Sequence, residues 1–277
     1  ALGLADDHGP TAEGRRRAHV AVVDLVESGR LAKAEGHALY GLAEGRPHVR
    51  TYTIPAERQE ELDARIAGQN VPKRFLTNLA TRPDTTVVKW KASDGSWESL
   101  TLAQVAEHTA RLVTAFKSLG VGPGDRVVLM LANRQEFHAL DLAVLFCGAT
   151  PVSIYNSSAP NQIEYLVNNC GAKVAVLEHA DFLGRFTSVK SQLETLEHIA
   201  IIDPDESVGD DVVRYSDMLA HEPADLEAAA EVAQPKDLAT IIYTSGTSGE
   251  PKGVMVSHRG IVGLLRAQVA AFGLEPD

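Results

Sequence analysis

Residues 243-YTSGTSGEPKGV-254 place four hydroxyl residues of the Ser/Thr type, three glycines, one proline and one lysine in twelve positions. That mixture suits an oxyanion. Gly246, Gly249 and Gly253 let the backbone turn and approach a ligand without Cβ clashes. Successive N–H groups in such a turn form a concave donor nest for phosphate oxygens. The hydroxyls of Thr244, Ser245, Thr247 and Ser248 add neutral donors, and Lys252 adds a point charge. Pro251 stiffens the exit and denies the loop a helical continuation. A flexible linker also favours Gly and Ser. This loop, however, lies between two apolar strand-like runs, 238-LATIIY-243 and 253-GVMVS-257, both expected to be buried.

The order of residues decides between phosphate-binding chemistries. A Walker A loop needs G-x-x-x-x-G-K-[ST] running into a helix whose N-terminus holds the phosphate. Here Lys252 follows Pro251 and precedes Gly253, and a strand-like run comes next. The dinucleotide fingerprint fails as well, because 120-GVGPG-124 precedes a strand instead of following one and reads as a turn.

The elements that must position the loop begin near residue 70. Strand 86-TVVKWKA-92 and a turn at 93-SDGS-96 lead into the helix 101-TLAQVAEHTARLVTAFKSLG-120. That helix opens on Thr101 and Gln104 at capping-box spacing and is apolar through Leu102, Val105, Leu112, Val113 and Phe116. Strand 126-RVVLML-131 follows, and Asn133 with Glu136 forms a second expected capping box for a helix reaching Gly148. Strands at 150–155, 173–178 and 198–203 alternate with helices at 160–171 and 181–196. Solid apolar strands alternating with helices predict an α/β fold with mostly parallel sheets covered by helices on both faces. A short helix near 216–222 and the Ala/Glu-rich segment 224–233 lead to the last strand. Trp90 and Trp97 flank the 93–96 turn and read as cross-strand packing.

Residues 1–48 are Ala-, Gly- and charge-rich and carry no motif. They read as a helical or partly disordered extension, with helical spacing over 18–42, and residues 55–68 as a polar helix between Pro55 and Gly68. The chain has 277 residues, enough for a substantial core. Its 26 basic and 37 acidic residues give a net charge of −11, which argues against a general nucleic-acid or anionic-membrane surface. Cys147 and Cys170 lack metal or CxxC spacing and suit a reducing, cytoplasmic setting. No apolar run reaches the length of a membrane span. The basic 15-RRR-17 before 18-AHVAVVDLVE-27 is not read as an export signal, because Asp24 and Glu27 interrupt the apolar part. His258 sits at a helix start just past the loop, where helix-end or surface packing is the favoured reading over a place in the site. The acidic pairs 205-DE-206 and 210-DD-211 read as a solvated loop.

The loop is similar to the phosphate loop of the adenylate-forming enzymes, which include acyl-CoA synthetases, peptide-synthetase adenylation domains and luciferases. Its form there is close to [YF]-T-S-G-[ST]-T-G-x-P-K-G-V, and the single departure, Ser248 for Thr, keeps the hydroxyl. The resemblance extends through 99-SLTLAQVAEHTARLVTAFKSLGVGPGDRVVLMLANRQEF-137 and 145-LFCGATPVSIYNSSAPNQIEYLVNNCGAKVAVLE-178, covering about residues 70–272. It implies that residues 49–277 are the N-terminal portion of an AMP-binding domain. It also implies two-step chemistry: a carboxylate attacks the α-phosphate of ATP, and a thiol, usually coenzyme A, then takes the acyl group. By the same resemblance Ser245, Gly246, Thr247, Ser248, Gly249 and Lys252 hold the β- and γ-phosphates, and Lys252 is the catalytic residue. Thr244 also belongs to the cofactor-binding set, with its hydroxyl near Mg²⁺. The style of 94-DGSWESLTLAQVAEH-108 and 150-TPVSIYNSSAPNQIEYLVNNCGAKV-174 resembles fatty acyl-CoA synthetases more than peptide-synthetase domains, whose Tyr-Val-Pro-[IL]-Asp-Pro run is replaced here by 152-VSIYNSS-158; this implies a medium- or long-chain fatty acid and is compatible with peripheral membrane contact. The family's later motifs do not occur in these 277 residues, so the chain by itself is expected to form adenylate at no useful rate. The readings left beside this one are a non-catalytic scaffold built on a truncated adenylation fold, a peptide-synthetase-type adenylation domain or acyl-AMP ligase, and a P-loop phosphotransferase.

Overall fold

The computed structural model describes residues 41–43, 46–48, 64, 66–244 and 250–272. The chain divides into two units, Ala1–Arg65 and Ile66–Asp277. In the first, β1 (Gly41–Ala43) pairs antiparallel with β2 (Arg46–His48), Leu42 facing Pro47. Helical spacing was expected to run to Leu42; instead residues 41–43 are a strand, and Pro47 could not have extended a helix. The remainder of the extension, and most of the helix expected over 55–68, lie outside the described residues. Gly68 does adopt φ 69°, the left-handed backbone of a helix-closing glycine.

The second unit opens with α1 (Val71–Thr81), capped by the buried Asn70, whose Oδ1 accepts from Lys73 N at 2.7 Å. The same side chain donates to the carbonyls of Ala230 and Ala233 at 2.8 and 2.7 Å, so every polar atom of this buried amide is used. β3 (Thr86–Lys91) and β4 (Trp97–Thr101) form an antiparallel hairpin. Its register sets Trp90 opposite Glu98 and Lys91 opposite Trp97, which puts the two tryptophans on opposite faces. The expected tryptophan packing is therefore replaced by Lys89 lying over the exposed Trp97 ring at 5.4 Å. In α2 (Leu102–Ser118) the capping box forms as the spacing predicts, Thr101 Oγ1 accepting from Gln104 N and Gln104 Oε1 from Thr101 N.

A five-stranded parallel sheet then builds the body. Its strands are β5 (Arg126–Met130), β6 (Thr150–Ser153), β7 (Val174–His179), β8 (His198–Asp203) and β9 (Val213–Arg214), in the order β6-β5-β7-β8-β9. The connecting helices are α3 (Glu136–Phe146), α4 (Pro160–Cys170) and α5 (Ala180–Ser188), with α6 (Tyr215–Leu219) and α7 (Leu226–Ala230) following β9. Strand residues alternate between two cores. Val127, Leu129, Val174 and Val176 pack with Leu112, Phe116 and Leu140 on one face. Val128, Met130, Ala175 and Leu177 pack with Ile163, Val167 and Phe186 on the other. Each fully buried aliphatic or aromatic side chain contributes about 1.5–3 kcal/mol, which is why these strands read as unbroken apolar runs.

One helix start departs from expectation. α3 has Gln135 at its N-cap in α geometry with no side-chain cap, and the Asn133–Glu136 box does not form. The Glu136 carboxylate is taken instead by Arg134, whose Nε donates to it at 2.6 Å. A charge-assisted bond to a largely buried guanidinium outweighs one to a neutral backbone N–H. Finally β10 (Leu238–Thr244) and β11 (Lys252–Ser257) form a separate antiparallel hairpin, followed by α8 (His258–Phe272). β10 lies beside β6 through hydroxyls, Thr150 Oγ1 donating to Leu238 O and Thr240 Oγ1 to Pro151 O. Among the described residues no helix is long and apolar enough to cross a membrane.

Candidate active site

The hairpin β10–β11 carries the loop. Thr244 closes β10 directly opposite Lys252, which opens β11, and both side chains are exposed. Residues directly opposite in an antiparallel pair share a face, so the Thr244 and Lys252 side chains leave the hairpin on the same face at the loop's mouth. Ser245, Gly246, Thr247, Ser248 and Gly249 lie outside the described residues. The strand after the loop was expected to be buried; instead Lys252–Met255 are exposed, with Val254 at 49% and Met255 at 70%. Gly253 does not have a left-handed φ; a Cβ there would meet Ile241 Cγ2 at 2.8 Å and the Tyr243 ring at 3.4 Å. That glycine serves the close packing of the hairpin on itself.

Two phenols tie the loop's shoulders to α4. Tyr243 Oη donates to Asn169 Oδ1 at 2.6 Å, and Tyr165 Oη donates to the carbonyl of Pro251 at 2.8 Å. Burial, reinforced by Cys170 and Tyr165 nearby, pushes the Tyr243 phenol up to about 12, so it is a neutral donor and no base. The sequence reading did not find this grip. Its signal is the spacing of Tyr165 and Asn169, i and i+4 on one face of α4.

His258 begins α8 at 1% exposure and packs against the start of α1, as the helix-end reading has it. Its Nδ1 accepts from Val71 N at 3.2 Å, which places the ring proton on Nε2, and Nε2 has no partner among the described residues. Burial lowers its pKa, against a smaller opposing pull from Asp237.

A second polar cluster, also missed from sequence, lies at the C-terminal ends of β5, β7 and β8, where the strand order reverses around β5. Arg134 donates to Asp203 and Glu136 at 2.6 Å each and lies 3.7 Å from Glu178, which accepts from Ala132 N. Burial opposes the charge on Arg134, but the bonds to Glu136 and Asp203 outweigh it and raise the pKa. This is the crevice where open parallel sheets place ligands, and knowledge of strand order was needed to find it. Its charges are paired with one another. Asp205 binds Ser207 and Asp211 pairs with Lys190, in keeping with a solvated loop.

For a divalent cation the fit is limited and specific. Among the described residues there is no cluster of three or more His, Cys, Asp or Glu side chains able to hold a metal. The Thr244 hydroxyl is a hard oxygen ligand, and Mg²⁺ is commonly held by substrate phosphates and water with one or two protein oxygens. Cys147 and Cys170 are both buried and free, and burial pushes their thiols up to about 12 and about 11. Neither is a nucleophile at neutral pH.

The chain is 33% identical over 197 residues to the long-chain-fatty-acid–CoA ligase FadD15 of Mycobacterium bovis, a match covering 70% of this chain and 32% of that ligase. The crystal structure of the anthranilate CoA ligase AuaEII in complex with anthranoyl-AMP superposes with a TM-score of 0.62 at 29% identity, covering 69% of this chain and 35% of that one. An uncharacterized Mycobacterium tuberculosis protein, Rv1549, is 30% identical over 152 residues, 55% of this chain and 83% of that protein. The chain thus spans about a third of the length of the CoA ligases it matches. The model of the AMP-binding enzyme family matches residues 75–277, and the chain belongs to that family.

Proposed function

We propose that the chain takes part in ATP-dependent activation of a carboxylate: formation of an acyl-adenylate, then transfer of the acyl group to coenzyme A. The observation that carries the proposal is the register of Thr244 against Lys252 at the mouth of the hydroxyl- and glycine-rich loop. In the adenylation step a carboxylate oxygen attacks the α-phosphorus and the bond to the β-phosphate oxygen breaks. Negative charge then grows on the departing pyrophosphate. Lys252 and the donors of Ser245, Gly246, Thr247, Ser248 and Gly249 hold the β- and γ-phosphates and oppose that charge, the kind of preorganised stabilisation that carries most in such a step. Thr244 offers its hydroxyl to Mg²⁺, which supplies further neutralisation of the phosphates. No general base is required of this chain, because the attacking carboxylate is already ionised at neutral pH.

The acyl substrate is proposed to be a medium- or long-chain fatty acid. The fatty-acyl name of the FadD15 relative supports this, while the anthranilate ligase marks aromatic acids as the competing class. A cytoplasmic setting fits two free thiols and the coenzyme A substrate. The test is carboxylate-dependent ATP–pyrophosphate exchange by the complete natural polypeptide against a panel of fatty and aromatic acids. Exchange with medium- or long-chain acids is expected. Exchange confined to aromatic or amino acids removes the fatty-acid assignment, and none with any carboxylate removes the activity.

A further inference from the structure

We propose that Tyr165 and Asn169 of α4 are positioning residues for the phosphate loop, gripping its exit and its entry from one helix face. This rests on reading the loop as the ATP phosphate site and adds residues outside the loop to it. Tyr165 Oη donates to the carbonyl of Pro251, one peptide before Lys252. Asn169 Oδ1 accepts from Tyr243 Oη, one peptide before Thr244. Lys252 and Thr244, the groups assigned to the phosphates and their cation, are thus each a single peptide from a fixed point on the same helix.

α4 is a firm platform. Ile163, Leu166, Val167 and Cys170 bury its inner face, Pro160 starts it, and Gly171 closes it in left-handed geometry. β11, by contrast, is exposed from Lys252 to Met255, so its own packing does little to fix the lysine. Pro251 has no N–H, and the Tyr165 hydroxyl meets its carbonyl at 2.8 Å. Holding Pro251 and Tyr243 before ATP arrives removes conformational freedom that binding would otherwise have to remove, which raises affinity without a new ligand contact.

The test titrates MgATP calorimetrically into the complete natural polypeptide and into its Tyr165→Phe and Asn169→Ala variants, with melting temperature and the carboxylate KM measured alongside. Loss of one neutral hydrogen bond is expected to raise the MgATP Kd roughly two- to ten-fold in each variant, with the carboxylate KM unchanged. Tyr165→Phe added to Lys252→Ala is expected to cost no further affinity, because the phenol acts through the lysine. MgATP binding unchanged in both variants, or affinity for MgATP and carboxylate falling together with the melting temperature, overturns the positioning role in favour of general support. If Lys252→Ala weakens MgATP binding and Tyr165→Phe does not, this inference fails while the loop assignment stands. If the unmodified polypeptide binds no MgATP, both fail.

Discussion

Gly253, Lys252 and His258 lie within seven positions and answer to three different constraints. Gly253 is set by contact with Ile241 and Tyr243, and Lys252 by its place opposite Thr244. His258 is set by burial against α1, with Nδ1 accepting from Val71 N–H. Protonating Nδ1 would break that bond and bury a cation, so the folded state disfavours the charged ring. A histidine whose pKa is lowered on folding contributes stability that is complete above its unfolded value of about 6.5 and is lost as pH falls below it. The melting temperature is therefore expected to fall on acidification from pH 7 to pH 5, and less so in His258→Asn, whose Oδ1 can replace the Nδ1 acceptor. Equal slopes in thermal melts of the two proteins would contradict this. The loop's residue types and their order were legible in the sequence, because they are local. That Gly253 answers to packing was not, since its neighbours are defined only by the hairpin register.

At the scale of elements, α4 sustains both the sheet and the loop, and Gly171 is its most sensitive position. It holds φ 63°, and a Cβ there would lie 2.5 Å from Arg126 Nη2, which donates to the Gly171 carbonyl. Gly171→Ala is expected to destabilise the fold by about 1–3 kcal/mol through left-handed strain and displacement of the guanidinium, read as a lower midpoint in urea unfolding. The alternation of strands and helices, the Thr101–Gln104 cap and the Gly171 stop were all readable, because each depends on residues a few positions apart. The Asn133–Glu136 cap failed because Arg134 claims Glu136, and Arg134 is itself held by Asp203, 69 residues on. The Trp90–Trp97 pairing failed on a one-residue register difference. The grip of Tyr165 on Pro251 spans 86 residues and needed the fold.

Across the whole molecule, Ile242, Val254, Met255, Leu264 and Leu265 leave an apolar surface on the loop-bearing hairpin and the helix after it. The chain covers about a third of the CoA ligases it matches. The later motifs of the family that the chain resembles do not occur in these 277 residues. These 277 residues alone are accordingly expected to give no measurable ATP–pyrophosphate exchange with any carboxylate, and robust exchange by them would contradict that expectation. The parallel sheet, covered by helices on both faces, was readable from the solid apolar runs, whereas the exposure of β11 was not, because an apolar run does not say what covers it. The central claim is that the β10–β11 loop holds the phosphates of ATP, and its most direct test is Lys252→Ala in the complete natural polypeptide. Carboxylate-dependent ATP–pyrophosphate exchange is predicted to fall by roughly a hundredfold or more, the scale on which a single preorganised charge-stabilising donor acts, with the melting temperature unchanged. Exchange kinetics equal to those of the unmodified protein would remove the loop from the mechanism.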